Sequence, residues 1–141
     1  MAESCQVFMR DRQLHHVGIL MPSEEAARQF MQAVGLVEEH RGYVPEYQSL
    51  CIFAQGNGGS QIELVIPQGG KLAEYKDGKP VIHHIAFAVD DIAAVAADYA
   101  ARNMPLLEAR AVKGAGDFIV NFLKPRHTGG ILVEFVQKTS S

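Results

Sequence analysis

The sequence contains no tryptophan, only two cysteines, and no apolar run approaching the ~18 residues that would span a bilayer. With 7 Phe and 4 Tyr as its only aromatic rings besides histidine, it offers no obvious platform for stacking nucleobases. Cys5 and Cys51 are too few for a disulfide framework and lack metal-ligand spacing, so they read as reduced thiols. An excess of either charge is also missing. Thirteen Lys and Arg against sixteen Asp and Glu leave a net charge of -3, which argues against a polybasic nucleic-acid surface and against an acidic tail. The opening segment MAESCQVFMRDRQ has no basic stretch followed by an apolar one, so no signal peptide is expected. These absences point to a soluble, cytoplasmic protein whose partner is neither nucleic acid nor membrane. What remains is 141 residues, 48% of them hydrophobic, enough for one domain with its own core.

The chain repeats itself. Leu14-His15-His16-Val17-Gly18-Ile19-Leu20-Met21 returns as Ile82-His83-His84-Ile85-Ala86-Phe87-Ala88-Val89, 68 residues later. Each copy reads as a strand, a helix and further strands. In the first, Ser23 caps a helix to about Val34 that Gly35 ends, and strands follow near 36–43, 48–54 and 60–66. Gly56-Asn57-Gly58-Gly59 fits a hairpin turn. In the second, Asp90 or Asp91 caps a helix to about Arg102, closed by Asn103 and Pro105, with strands near 106–112, 117–123 and 130–137. The expected fold is α+β: two βαβββ modules forming a curved mixed sheet that lines a cleft, with helices outside. The expected layout is an N-terminal arm over 1–12, a single domain over 13–138 and a tail over 139–141. Within the domain, module 1 covers about 13–67, a linker about 68–79 with one helical turn, and module 2 about 80–138.

Alternation along the strands selects side chains for the cleft. His16, Gly18 and Leu20 share one face of the first strand, and His84, Ala86 and Ala88 share the equivalent face of its repeat. His15 and His83 fall on the opposite face or at the strand end, as hydrogen-bonded strand residues or supports of a neighbour. Glu63 and Glu134 each interrupt a strand that otherwise reads as buried, where an ionised carboxylate is costly unless paired or cation-bound. Glu63 follows His16 by 47 residues, and Glu134 follows His84 by 50. Singly, each of the four reads as a satisfied polar residue. Recurrence at matching places shifts the balance toward a divalent metal site of nitrogen and oxygen ligands suited to Mn, Co, Ni, Fe or Zn. The small or in-phase residues Gly18, Leu20, Val65, Ala86, Ala88 and Leu132 are expected to line the space beside it. Lys71, Lys76, Lys79, Lys113, Lys124 and Arg126 sit in expected loops and read as solvated surface.

The runs Leu14–Val17, Ile62–Pro67, Ile82–Ile92 and Gly129–Glu134 resemble the vicinal oxygen chelate superfamily, and within it the methylmalonyl-CoA epimerase family. Val112–Gly116 and Asn121–Gly130 add to the likeness, which covers about residues 13–138. The resemblance implies one divalent ion (Co, Mn, Ni, Zn, Fe or Mg) held by His16, Glu63, His84 and Glu134, a small-molecule substrate such as an acyl-CoA, and a homodimer. It implies removal of a proton α to a thioester carbonyl by Glu134. Epimerisation needs a second base for the other face. In the family this is a glutamate on the third strand of the first module, but Gln48–Ala54 contains no carboxylate. Glu46, just upstream, is one candidate; Gln48 or a water in its place, or a different reaction, are the alternatives. A single base would equally suit a glyoxalase I-like lactoylglutathione lyase or another small-carbonyl lyase. A non-catalytic ligand-binding module of the resistance type is the third reading.

Overall fold

The computed structural model describes residues 13–55, 59–74 and 79–139. The N-terminal arm with Cys5, most of the Gly56–Gly59 turn, the centre of the linker with Lys76, and the last two residues lie outside them. Eight strands form one sheet: β1 (Gln13–Leu20), β2 (Val37–Val44), β3 (Ser49–Gln55), β4 (Gln61–Pro67), β5 (Val81–Ala88), β6 (Val112–Lys113), β7 (Phe118–Leu123) and β8 (Val133–Lys138). The spatial order is β2-β3-β4-β1-β5-β8-β7-β6. Each half is therefore an equivalent βαβββ unit. The first strand of each unit runs parallel to its last, and β1 and β5 join the units antiparallel at the centre. In each unit the strand after the helix lies at the sheet edge, and two antiparallel turns bring the last strand back beside the first.

Helix α1 (Glu24–Val34) starts where the Ser23 hydroxyl accepts the Ala26 N–H at 3.1 Å and stops at Gly35, in the left-handed region at φ 77°. Its buried Ala27 and Met31 cover Met21, Ile52, Ala54, Leu64 and Ile66. Helix α2 (Ile92–Ala101) is capped by Asp91, whose carboxylate accepts the Ala94 N–H at 3.1 Å. Ile92 and Tyr99 pack on Leu106, Leu123, Val133 and Phe135. Both helices thus cover the convex face. Among the described residues no helix is long and apolar enough to cross a membrane.

The concave face has its own apolar cluster, with Leu20, Phe53, Val65, Ala86, Phe118, Val120 and Phe122. One expected strand differs. The stretch expected as strand over 106–112 is irregular except for Val112–Lys113. It is instead held by Asn121, a 2% exposed side chain on β7. Its Oδ1 accepts the Glu108 N–H at 2.9 Å and its Nδ2 donates to the Glu108 carbonyl at 3.0 Å, so Glu108 spends its backbone groups on a side chain rather than on a ladder. Replacing Asn121 by Leu leaves both Glu108 groups without that partner. We expect a loss of about 2–4 kcal/mol, seen as a lower urea midpoint at unchanged m-value.

Candidate metal centre and pocket

The strand register brings the four sequence-predicted ligands together in two rows. Gly18 pairs with Glu63 on one side and with His84 on the other. Ala86 pairs with His16 on one side and Glu134 on the other. In each row a glutamate and a histidine flank a residue with little or no side chain, so they can lean across it. The approach is close. A Cβ added to Gly18 would stand 2.0 Å from Cε1 of His84. His16, Glu63, His84 and Glu134 are all buried.

His16 Nε2 and His84 Nε2 lie 3.1 Å apart. Glu63 Oε1 is 3.2 Å from the first and 3.0 Å from the second. Glu134 Oε1 is 2.9 Å and 3.2 Å from the same two atoms, yet neither contact has the alignment of a hydrogen bond, and that oxygen has no hydrogen-bond partner. The four ligand atoms lie within 4.8 Å of one another. An unmatched buried carboxylate oxygen among converging imidazole nitrogens is the donor set a divalent cation accommodates. Separations of about 3 Å are also what two ligands at right angles would show around an ion ~2.1 Å from each. The residues present therefore fit the group.

Protons compete for the same atoms. Burial pulls both imidazoles down, but the carboxylates of Glu134 and Glu63 outweigh it and hold His16 up at about 9 and His84 at about 10. Burial pushes Glu63 and Glu134 up, but the two histidines overcome it, and Glu63 sits well below the usual carboxylate range with Glu134 below it too. Burial, aided by the charge on His84, drives His83 down to about 4, and burial and His16 lower His15.

Glu63, His84 and Glu134 lie on the wall of a cavity of about 580 Å³. Of the six residues expected beside them, Val65 and Leu132 line this cavity and Gly18, Leu20, Ala86 and Ala88 do not. The His84 ring covers Gly18, and Leu20 and Ala86 are sealed within the concave apolar cluster. Ala88 instead lines a shallow polar depression with Gln13 and Glu39. Larger side chains from the outer strands, Phe118 and Phe122 among them, form the wall in their place. Glu46 stands exposed on a 3₁₀ turn (Pro45–Tyr47), outside the cavity lining.

Four lining residues were not predicted as functional. Cys51 is the buried, free thiol that β3 turns inward, pushed up by burial and by Glu63 beside it. Tyr47 donates its hydroxyl hydrogen to Glu108 at 3.0 Å, tying module 1 to module 2 beside the cavity. Lys71 and Lys124, read from sequence as plain surface, also line the cavity. Alternation within β3 (Ser49, Cys51 and Phe53, in phase with Glu63) was the available signal for Cys51. No sequence pattern marks the lysines.

Residues 15–122 match the Glyoxalase/Bleomycin resistance protein/Dioxygenase superfamily. The mitochondrial methylmalonyl-CoA epimerase of Mus musculus is 32% identical over 142 residues, covering 96% of this chain and 78% of the relative. The uncharacterized protein YqjC of Bacillus subtilis (strain 168) is 30% identical over 129 residues, covering 88% of this chain and 91% of that one. Among solved structures, methylmalonyl-CoA epimerase from Mycobacterium tuberculosis superposes with a TM-score of 0.83 at 25% identity, covering 91% and 89% of the two chains. A Streptomyces coelicolor methylmalonyl-CoA epimerase variant in complex with 2-nitronate-propionyl-CoA gives 0.82 at 25%, covering 91% and 98%. The chain belongs to the glyoxalase/bleomycin resistance protein/dioxygenase superfamily, where its relatives include methylmalonyl-CoA epimerases.

Proposed function

We propose that this protein is a divalent-metal-dependent epimerase acting on a 2-carboxyacyl thioester of the methylmalonyl-CoA kind. The observation that carries the reading is the convergence of His16 Nε2, His84 Nε2, Glu63 Oε1 and Glu134 Oε1 at one wall of an otherwise mainly apolar cavity. When bound there, the ion would stabilise negative charge developing on the thioester oxygen. The chain's own residues do the rest. His16, Glu63 and His84 hold the ion. Glu134, whose Oε1 has no hydrogen-bond partner, serves as ligand and takes the α-proton. Lys71 and Lys124 supply cations that suit the phosphates of an acyl-CoA. A homodimer and a cytoplasmic location belong to the same proposal, on the family resemblance and the reduced-thiol reading.

Among the described residues the cavity wall carries no carboxylate besides Glu63 and Glu134. That observation favours a second reading, a one-base isomerase or lyase of the glyoxalase I kind. In the epimerase reading the protonated side chains that β3 brings to the wall are the Ser49 hydroxyl and the Cys51 thiol.

Glu134→Gln keeps an oxygen for the ion and removes the base. The expected result is retained metal with exchange of the substrate α-proton for solvent deuterium slowed by about 10²–10⁴-fold. Exchange at the parent rate overturns the role of Glu134. Glu46→Gln, an exposed substitution, should leave inversion close to the parent's. A selective loss of inversion would restore Glu46 as second base.

Metal-free protein should show a narrow stability optimum. The raised histidines contribute fully below their unfolded value of 6.5 and lose that contribution as pH rises through about 9 to 10. The depressed glutamates contribute above 4.5 and lose it as pH falls further. Melting temperature without metal should therefore peak between 4.5 and 6.5 and decline toward pH 10. Added divalent ion should remove the alkaline decline, because the ion replaces the protons. An unchanged alkaline limb with saturating Mn²⁺, Co²⁺ and Zn²⁺ tested in turn would count against the metal site.

A further inference from the structure

Strict alternation sends His15 and His83 away from the cleft, and the structure does otherwise. The β1–β5 ladder pairs Leu14 with Phe87 and His16 with Ala86, which leaves His15 as the extra residue of a bulge. Further along, Gly18 pairs with His84 and Ile19 with Ile82, which leaves His83 extra on the other strand. A bulge breaks the alternation and re-aims a side chain. Both extra rings consequently turn toward the neighbouring ligand. His15 Nδ1 is 2.7 Å from His16 Nδ1, and His83 Nδ1 is 2.8 Å from His84 Nδ1. The ring pairs stand edge to face at 75° and 90°. His15 also meets the ring of Phe118, and His83 lines the cavity. Two bulges at equivalent places in two modules, each delivering the same contact, form one device used twice.

We propose that His15 and His83 are positioning residues: each accepts the Nδ1–H of the next histidine and so fixes the His16 and His84 tautomers that aim an Nε2 lone pair at the centre of the cluster. The inference rests on the metal reading above. A neutral imidazole has one N–H and one acceptor nitrogen, so a partner on Nδ1 decides which nitrogen is free. Partners of this sort orient metal-bound histidines, and their loss typically costs 10–100-fold in affinity. Here the partner is itself an imidazole. Its Nδ1 must be the acceptor, which puts its own hydrogen on Nε2. Four tautomers are thereby linked in two pairs.

The test uses the full chain labelled with ¹⁵N-histidine and Zn²⁺ as the probe, with affinity read by chelator competition. His15→Leu and His83→Leu should each weaken Zn²⁺ binding by about 10–100-fold. His15→Asn and His83→Asn, whose Oδ1 can stand where Nδ1 stood, should recover most of that loss. Long-range ¹H–¹⁵N spectra of the unmutated protein, at a pH where the rings are neutral, should show His16 and His84 carrying hydrogen on Nδ1 and His15 and His83 on Nε2. The opposite tautomers overturn the inference even if a leucine variant fails to fold. So do leucine variants that fold and bind Zn²⁺ as tightly as the parent. A parent that binds no ion would sink the metal reading instead, while the tautomers of the metal-free protein still decide this one.

Discussion

The antiparallel seam between β1 and β5 is the constraint on which the rest of the molecule depends. Among the described residues it is the only ladder joining the two modules, and it carries both histidines and both of the small residues they lean across. Through it Gly18 and Ala86 become the centres of the two rows that collect one glutamate from β4 and one from β8. A slip of one residue along this seam would send His16 and His84 to opposite faces and dissolve the cluster. Apolar packing on the convex side, where α1 and α2 bury separate clusters, opposes such a slip independently in each half.

Electrostatics explains why the cluster tolerates burial. Two carboxylates and two imidazoles in a dry cleft would be costly as isolated charges. They are gathered so that protons on the histidines or a divalent cation can balance the acids. Positive charge could thus arrive from solvent in either form, which would tie the affinity of such an ion to pH.

Much of this was legible in the sequence because it is repetitive. The His-His pair recurring 68 residues on, with a glutamate following each copy at similar distance, marks the four clustered residues. The two helices and their caps at Ser23 and Asp91 were legible for the same local reason. What the sequence hid were events between strands. The bulges at His15 and His83 exist only as a mismatch of pairing between β1 and β5, so alternation placed those rings on the wrong side. Small residues do not mark the open space of the cavity. Gly18 instead makes room for the His84 ring, and phenylalanines from β7 enclose the cavity. The stretch near 106–111 looked like a strand, but its ladder role is taken over by the Asn121 side chain, a long-range substitution that no local propensity reports.

The halved architecture also divides the site between two units. Strands β2, β3 and β4 pair with near neighbours in the chain, as do β7 and β8, while the parallel pairs β1–β4 and β5–β8 close each module over a longer span. The seam has to bring together strands some 68 residues apart, and contacts of that span close at greater entropic cost. No single module holds more than one histidine and one glutamate of the cluster. The cluster is therefore complete only where both halves meet, and parting them at the seam would take the site apart while leaving each half its own helix and apolar layer.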